Sequence, residues 1–293
     1  MSTEAMMQGK VCLVTGGTSG VGKATARGLA RLGAKVVLLC RSADRGRQAL
    51  DEIARETENH QGEVLVGDLS LQASVRRAAE EFRRRFDRLD VLANLGGVLE
   101  FSKRLTAEGF DTMFSVNYLG HFLLTTLLLD VLKASGPSRV ITVAGAPAFL
   151  KNSVIDFDDL QLEKKFSGMG ALAQTMFARV SFGFELAHRL EGAGVTSVVF
   201  HPGTIRSNLA QNAPRWLKVL TVPFLIPFLL SAKGECDIAV YLASSTEVEG
   251  VSGVFFDDKH RIVSTIRERH DQAAGRRLWL LSEGLVSLPG VPR

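Results

Sequence analysis

Tyrosine is nearly missing from this chain: among 293 residues there are only Tyr118 and Tyr241, both inside helical patterns. Cysteine is scarce as well, and Cys12, Cys40 and Cys236 stand at no metal-ligand spacing, so no metal centre is expected. Cys12 and Cys40 fall in apolar strand patterns, where a buried free thiol is the ordinary state, which fits a reducing cytoplasm. No uninterrupted apolar run reaches the roughly 20 residues that a membrane helix needs. The most hydrophobic stretch, 216–230, is broken by Pro223 and Pro227. The first ten residues hold no apolar core of signal-peptide length, so export is not indicated. There is no acidic or basic tail. The net charge of +4 comes from small clusters such as Arg83, Arg84 and Arg85 on a helical pattern, which reads as a solvated face. No nucleic-acid partner is expected.

What is present is an ordinary soluble composition, 46% hydrophobic and 23% charged, with short β-branched runs alternating with longer amphipathic segments. The strands read as Val11–Thr15, Lys35–Cys40, Glu63–Val66, Val91–Asn94, Val140–Val143, Thr196–Phe200 and Val254–Phe256. Helical patterns lie between them at Lys23–Arg31, Ala43–Glu58, Ser74–Phe86, Phe110–Lys133 and Ala171–Glu191. Alternation of this kind predicts βαβ units and a parallel sheet. No repeat, low-complexity tract or linker interrupts it. One domain is expected over 9–286, after a flexible lead-in of 1–8 and before a tail of 287–293.

The first strand runs directly into Thr15, Gly16, Gly17, Thr18, Ser19, Gly20, Val21 and Gly22, and then into a helix. Positions without side chains let the backbone bend sharply and approach a pyrophosphate, whose charge then rests on the amides at the helix start. This predicts a dinucleotide site and an α/β fold of Rossmann type, a single doubly wound parallel sheet of about seven strands with helices on both faces. Arg41 ends the second strand, where an acidic residue would have gripped the ribose hydroxyls of NAD. A cation there suits a 2′-phosphate, so NADP(H) is the expected cofactor. Asp68, followed by Leu69, has two readings: an acceptor for the adenine amino group, or a cap for the next helix.

The Thr15–Gly22 turn, Asp68-Leu69, Leu89-Asp90-Val91-Leu92, Asn117–Thr125 (NYLGHFLLT), Glu185-Leu186-Ala187, His201-Pro202-Gly203 and the closing Arg277-Leu278-Trp279 with Ser282-Glu283 are spaced as in one family. The chain resembles the short-chain dehydrogenases/reductases, in particular their retinol-dehydrogenase-like branch, over about residues 9–286. The resemblance implies hydride transfer at a carbonyl or alcohol by an asparagine, serine, tyrosine and lysine. By position the asparagine is Asn117. Counting back from Glu185-Leu186-Ala187 puts the tyrosine at Leu172 and the lysine at Met176, and the serine falls in Ala144-Gly145. The strand-four motif is altered to Asn94-Leu95-Gly96-Gly97, whose Asn94 and Gly96 are expected beside the cofactor, as are Pro202, Gly203 and Thr204.

Leucine, methionine and glycine cannot exchange a proton, and general acid–base assistance is typically worth about 10²- to 10⁴-fold. The expectation drawn from this is a non-redox catalyst, a cyclase, isomerase or lyase, acting on a bulky lipophilic biosynthetic intermediate in a dry pocket lined by Gly145, Leu172 and Met176. Two further readings stay open: an NADP(H)-dependent oxidoreductase of a hydrophobic carbonyl or alcohol with an atypical proton donor, and a noncatalytic NADP-binding protein. Arg179 lies on the face of Leu172 and Met176 and reads either as a cation reaching the pocket or as a surface or subunit-contact arginine. Thr175 is expected to bond back within its helix. His201 reads as structural, and His121 as a packed helix residue. Residues 207–230 lie where the family places a substrate lid, and their apolar content fits a lipophilic small molecule. The rows Leu123, Leu127 and Phe177, Phe184 suggest a homodimer or tetramer through the two long helices.

Overall fold

Valine- and leucine-rich runs that are buried on both faces form parallel strands, because only crossover helices can cover both sides of such a sheet. The computed structural model describes residues 6–203, 236–268 and 270–286. Its strands are β1 (Val11–Thr15), β2 (Lys35–Cys40), β3 (Glu63–Val66), β4 (Val91–Asn94), β5 (Ser138–Val143), β6 (Val195–Phe200) and β7 (Val254–Phe256). All pair in parallel, in the order β3-β2-β1-β4-β5-β6-β7. The doubly wound sheet expected from the sequence is therefore present. The order in which successive strands are added reverses between β1 and β4, which opens a crevice at their carboxyl ends.

One face is covered by α1 (Gly20–Arg31), α2 (Ala43–Thr57) and a helix we label α8 (Asp237–Ser244), whose Leu29, Ile53 and Leu242 pack on Val14, Leu38 and Ile141. The other carries α3 (Gln72–Arg85), α4 (Gly120–Leu127), α7 (Gly168–Arg189) and the closing helix α10 (Gln272–Val286). There Phe82, Phe122, Phe182 and Trp279 fill the core over Leu13, Leu92 and Val140. The short helices α5 (Leu129–Ala134), α6 (Pro147–Leu150) and α9 (Ser264–Glu268) complete the described set. None of the described helices is long and apolar enough to cross a membrane.

Four expectations are corrected. The single helix anticipated over Phe110–Lys133 is three pieces, a π-helical segment Phe114–Leu119 followed by α4 and α5. Leu123 and Phe184, placed on dimer-forming rows, are already buried within one copy, Leu123 in the core and Phe184 edge-on to His270 at 5.2 Å. The lead-in is anchored from Met7, which is buried and donates its N–H to Leu32. Asp68 does not cap α3; the Glu108 carboxylate does, accepting from the N–H groups of Gln72 and Ala73 at 2.8 and 3.2 Å. The proposed lid, 207–230, and Thr204 lie outside the described residues.

Candidate active site

A cavity of about 540 Å³ runs along the carboxyl ends of the central strands. Its floor is the turn between β1 and α1. Gly16 has a left-handed φ of +68°, and a Cβ built on it would stand 2.8 Å from the Cα of Gly96. Built on Gly22, it would stand 2.4 Å from the carbonyl oxygen of Gly16. Only glycines allow this approach of backbone to backbone. Ser19 caps α1 without a side-chain bond to its first turn, so the N–H groups there are left for an anion. Thr18, Ser19, Gly20 and Val21 all line the cavity with the two glycines. The cradle fits a pyrophosphate.

Beyond the turn, Arg41, Asp68 and Leu69 line one end. The Asp68 carboxylate accepts from the backbone N–H and the hydroxyl of Ser70, at 2.9 and 2.8 Å. Arg45 lies there too, in the first turn of α2. Sequence reasoning missed it, although its spacing of four from Arg41 across a helix start was a usable signal.

Thr15 and Asn94 act from behind the wall, and neither lines the cavity. Thr15 Oγ1 accepts the N–H groups of Leu95 and Gly96 at 2.8 and 2.9 Å, tying the loop after β4 to the end of β1. Asn94 Nδ2 donates to Thr125 at 3.0 Å, and its Oδ1 is buried without a partner among the described residues.

The other end is apolar. Gly145, Leu172 and Met176 face it, joined by Val98, Phe149 and Met169, while Pro202 and Gly203 close one side. Phe149 and Met169 were not anticipated. Asn117 sits in the π-helical segment and does not face the cavity; its amide bridges the backbone of Val98, at 2.8 and 3.0 Å, and donates to Thr175. Thr175 bonds back to Ala171 at 2.7 Å. Tyr118 is buried on Ser282, and Tyr241 bonds Glu247 and stacks on His260. Neither tyrosine lines the cavity.

Arg179 corrects the surface reading. It is 1% exposed, yet it lines the cavity, and among the described lining residues it is the sole ionisable group at the apolar end. Its Nε donates to the carbonyl of Asn117, Nη1 to Val143 at 3.0 Å, and Nη2 to Gly96 and, at 3.3 Å, to Nδ1 of His121. Four of its five N–H groups are thus engaged, and the fifth, on Nη1, has no acceptor among the described residues. Burial without a carboxylate partner lowers its pKa to about 9. His121 is buried as well, and burial first, then the Arg179 charge, hold its pKa well below the usual imidazole value. His201 is half-buried, its Nδ1 has no partner among the described residues, and it is not among the residues that line the cavity.

The family model for short chain dehydrogenases matches residues 10–155. Human retinol dehydrogenase 14 is 38% identical over 298 residues, covering 97% of this chain and 88% of that protein. Human retinol dehydrogenase 12 is 39% identical over 286 residues, covering 98% and 89%. Among solved structures, an uncharacterised protein from Mycobacterium paratuberculosis is 28% identical with a TM-score of 0.71, covering 98% of this chain and 96% of that one. A candidate NAD(P)-dependent gluconate 5-dehydrogenase from Beutenbergia cavernae, solved with bound NADP, is 25% identical with a TM-score of 0.65 and coverages of 87% and 97%. These relatives overturn the expectation of a cyclase, isomerase or lyase. The relatives of 37–39% identity over nearly their whole length are retinol dehydrogenases, which speaks against the non-redox catalyst. The chain belongs to the short-chain dehydrogenase family.

Proposed function

We propose that this chain is an NADP(H)-dependent oxidoreductase of a lipophilic alcohol or carbonyl compound, with Arg179 serving the substrate oxygen. The carrying observation is one continuous cavity that joins a pyrophosphate cradle to an apolar end holding a buried guanidinium with one N–H left over. The retinol dehydrogenases among its relatives make retinoid-like alcohols and aldehydes the first substrates to test.

In this reading Gly16, Ser19, Gly20 and Gly22 hold the pyrophosphate, Arg41 and Arg45 the 2′-phosphate, and Asp68 the adenine. When bound, the nicotinamide supplies or accepts the hydride. Gly145, Leu172 and Met176 take the places where the resemblance puts serine, tyrosine and lysine. They exclude water and shape an apolar seat for the substrate. Reduction leaves a negative oxygen on the former carbonyl. Arg179 meets it with the remaining Nη1–H and gives up a proton, which solvent water restores once the product has left and the cavity is open again. A pKa of about 9 suits this step, since the group is charged at neutral pH yet more acidic than an ordinary guanidinium. Asn117 serves by holding Val98 and, through its carbonyl, Arg179.

The test is NADPH absorbance with retinaldehyde and a series of long-chain aldehydes and ketones, for the parent and Arg179→Met. Consumption by the parent, lost by about 10²-fold or more in the variant, supports the reading. Arg179→Met turning over as fast as the parent removes Arg179 from it.

A further inference from the structure

The imidazole of His121 is fully enclosed between the sheet and α7. On one side Nε2 lies 2.9 Å from Thr15 Oγ1, and on the other Nδ1 lies 3.3 Å from Arg179 Nη2. The backbone carbonyls of Val116 and Asn117 also lie within hydrogen-bonding reach of the ring. A guanidinium carries donors only, so in the arrangement in which Arg179 bonds to the ring, Nδ1 is the acceptor and the ring proton sits on Nε2, directed at Thr15. In that arrangement the Thr15 hydroxyl donates to the Ala93 carbonyl, 3.3 Å away. Thr15 also holds the N–H groups of Leu95 and Gly96, and Gly96 in turn accepts from Arg179. A closed ring of contacts results: Thr15, His121, Arg179, Gly96 and back to Thr15. It ties the residue that opens the phosphate turn to the one ionisable side chain at the apolar end.

We infer that His121 is the positioning residue for Arg179, fixing the guanidinium so that its remaining Nη1–H is presented to the substrate oxygen. This rests on the reading that Arg179 serves that oxygen. The three carbonyl contacts of Arg179 come from three separate segments, the loop after β4, the π-helical segment and the end of β5. Carbonyls accept over a broad range of directions, whereas a ring nitrogen accepts only along its in-plane lone pair. His121 is therefore the contact that selects one rotation of the guanidinium.

Two amide substitutions separate positioning from packing. Asparagine reaches about as far as Nδ1 and keeps an acceptor for Arg179; glutamine reaches as far as Nε2 and keeps only the Thr15 contact. We expect His121→Leu and His121→Gln to lower kcat for aldehyde reduction by roughly ten-fold or more, with KM for NADPH little changed, and His121→Asn to stay close to the parent. Equal loss in all three variants reduces His121 to packing and overturns the inference, as does a Leu variant with the parent's kcat. A measurement on the parent alone stands apart from folding of the variants and from activity: ¹⁵N shifts of selectively labelled histidine at pH 7. A neutral ring protonated on Nε2, with Nδ1 as acceptor, is expected. A proton on Nδ1 overturns the positioning role. If the parent consumes no NADPH with any aldehyde, the oxidoreductase reading fails, while the ring's tautomer still decides whether His121 accepts from Arg179.

Discussion

Gly22 approaches Gly16 so closely that a methyl group on Gly22 would sit 2.4 Å from the Gly16 carbonyl oxygen and 2.6 Å from its carbon. The atoms it meets are backbone, which cannot swing aside. Gly22→Ala should therefore open the turn and weaken NADPH binding by roughly ten-fold or more, while the core, distant from the turn, keeps its fold. Calorimetric titration of the variant against the parent checks this. Unchanged affinity would mean that the pyrophosphate does not use this turn.

Arg41 and Arg45 stand together at the β2 end of the cavity, both exposed. Their charge should favour NADPH over NADH by about 1–2 kcal/mol through charge-assisted contacts to the 2′-phosphate. Replacing both with alanine should erase most of that preference and leave NADH affinity nearly unchanged. The ratio of the two dissociation constants at fixed salt is the measurement, since exposed charge contacts are screened.

His121 makes a prediction about stability and pH. Its folded pKa lies below its unfolded value, through burial first and the Arg179 charge second. Below about pH 6.5 the unfolded chain binds a proton that the folded chain refuses, so stability falls as pH falls. The contribution approaches 1.4 kcal/mol per pH unit until the folded pKa is reached. His201 and His270 are shifted the same way by burial, so the parent's total slope is not specific to His121. His121→Gln should flatten the slope between pH 6 and pH 5 by about one proton's worth. Denaturant unfolding at both pH values gives the comparison.

Much of the fold was legible because strand burial leaves a direct mark on sequence. Val11–Thr15, Lys35–Cys40, Glu63–Val66, Val91–Asn94 and Val254–Phe256 match the observed strands at both ends. The break at Phe114–Leu119 was not legible, since a π-helical segment keeps the apolar content of the α-helix around it and differs only in how its hydrogen bonds are offset. The glycine cradle could be read from its spacing, and so could Arg41 beside it. Arg179 could be placed on the right face of α7 but not at the right depth. An arginine in a helix is normally exposed, and what buries this one is the convergence of Asn117, Val143 and Gly96, residues far apart in the chain.

Removing that cation should be costly in two ways. Arg179→Met leaves three buried carbonyl oxygens without their donors, each worth about 1–3 kcal/mol. It also removes an unpaired buried charge, whose relief offsets part of that loss. The net expectation is a folded protein with a lower Tm, and an aldehyde reductase rate down by about 10²-fold or more. The parent rate should also fall as pH rises through about 9, where Arg179 loses its proton. A pH–rate profile flat from 7 to 10 would rule out Arg179 as the proton source.

The most direct measurement follows the hydrogen itself. Incubating the protein with NADPH deuterated at the reactive nicotinamide carbon and retinaldehyde, or a long-chain aldehyde, should give an alcohol one mass unit heavier at the former carbonyl carbon, released at ordinary enzyme rates of roughly 1–10³ per second. Deuterium in the alcohol is the result the account predicts. Tight coenzyme binding with no deuterium in any product, across the whole series of lipophilic aldehydes and ketones, would contradict it.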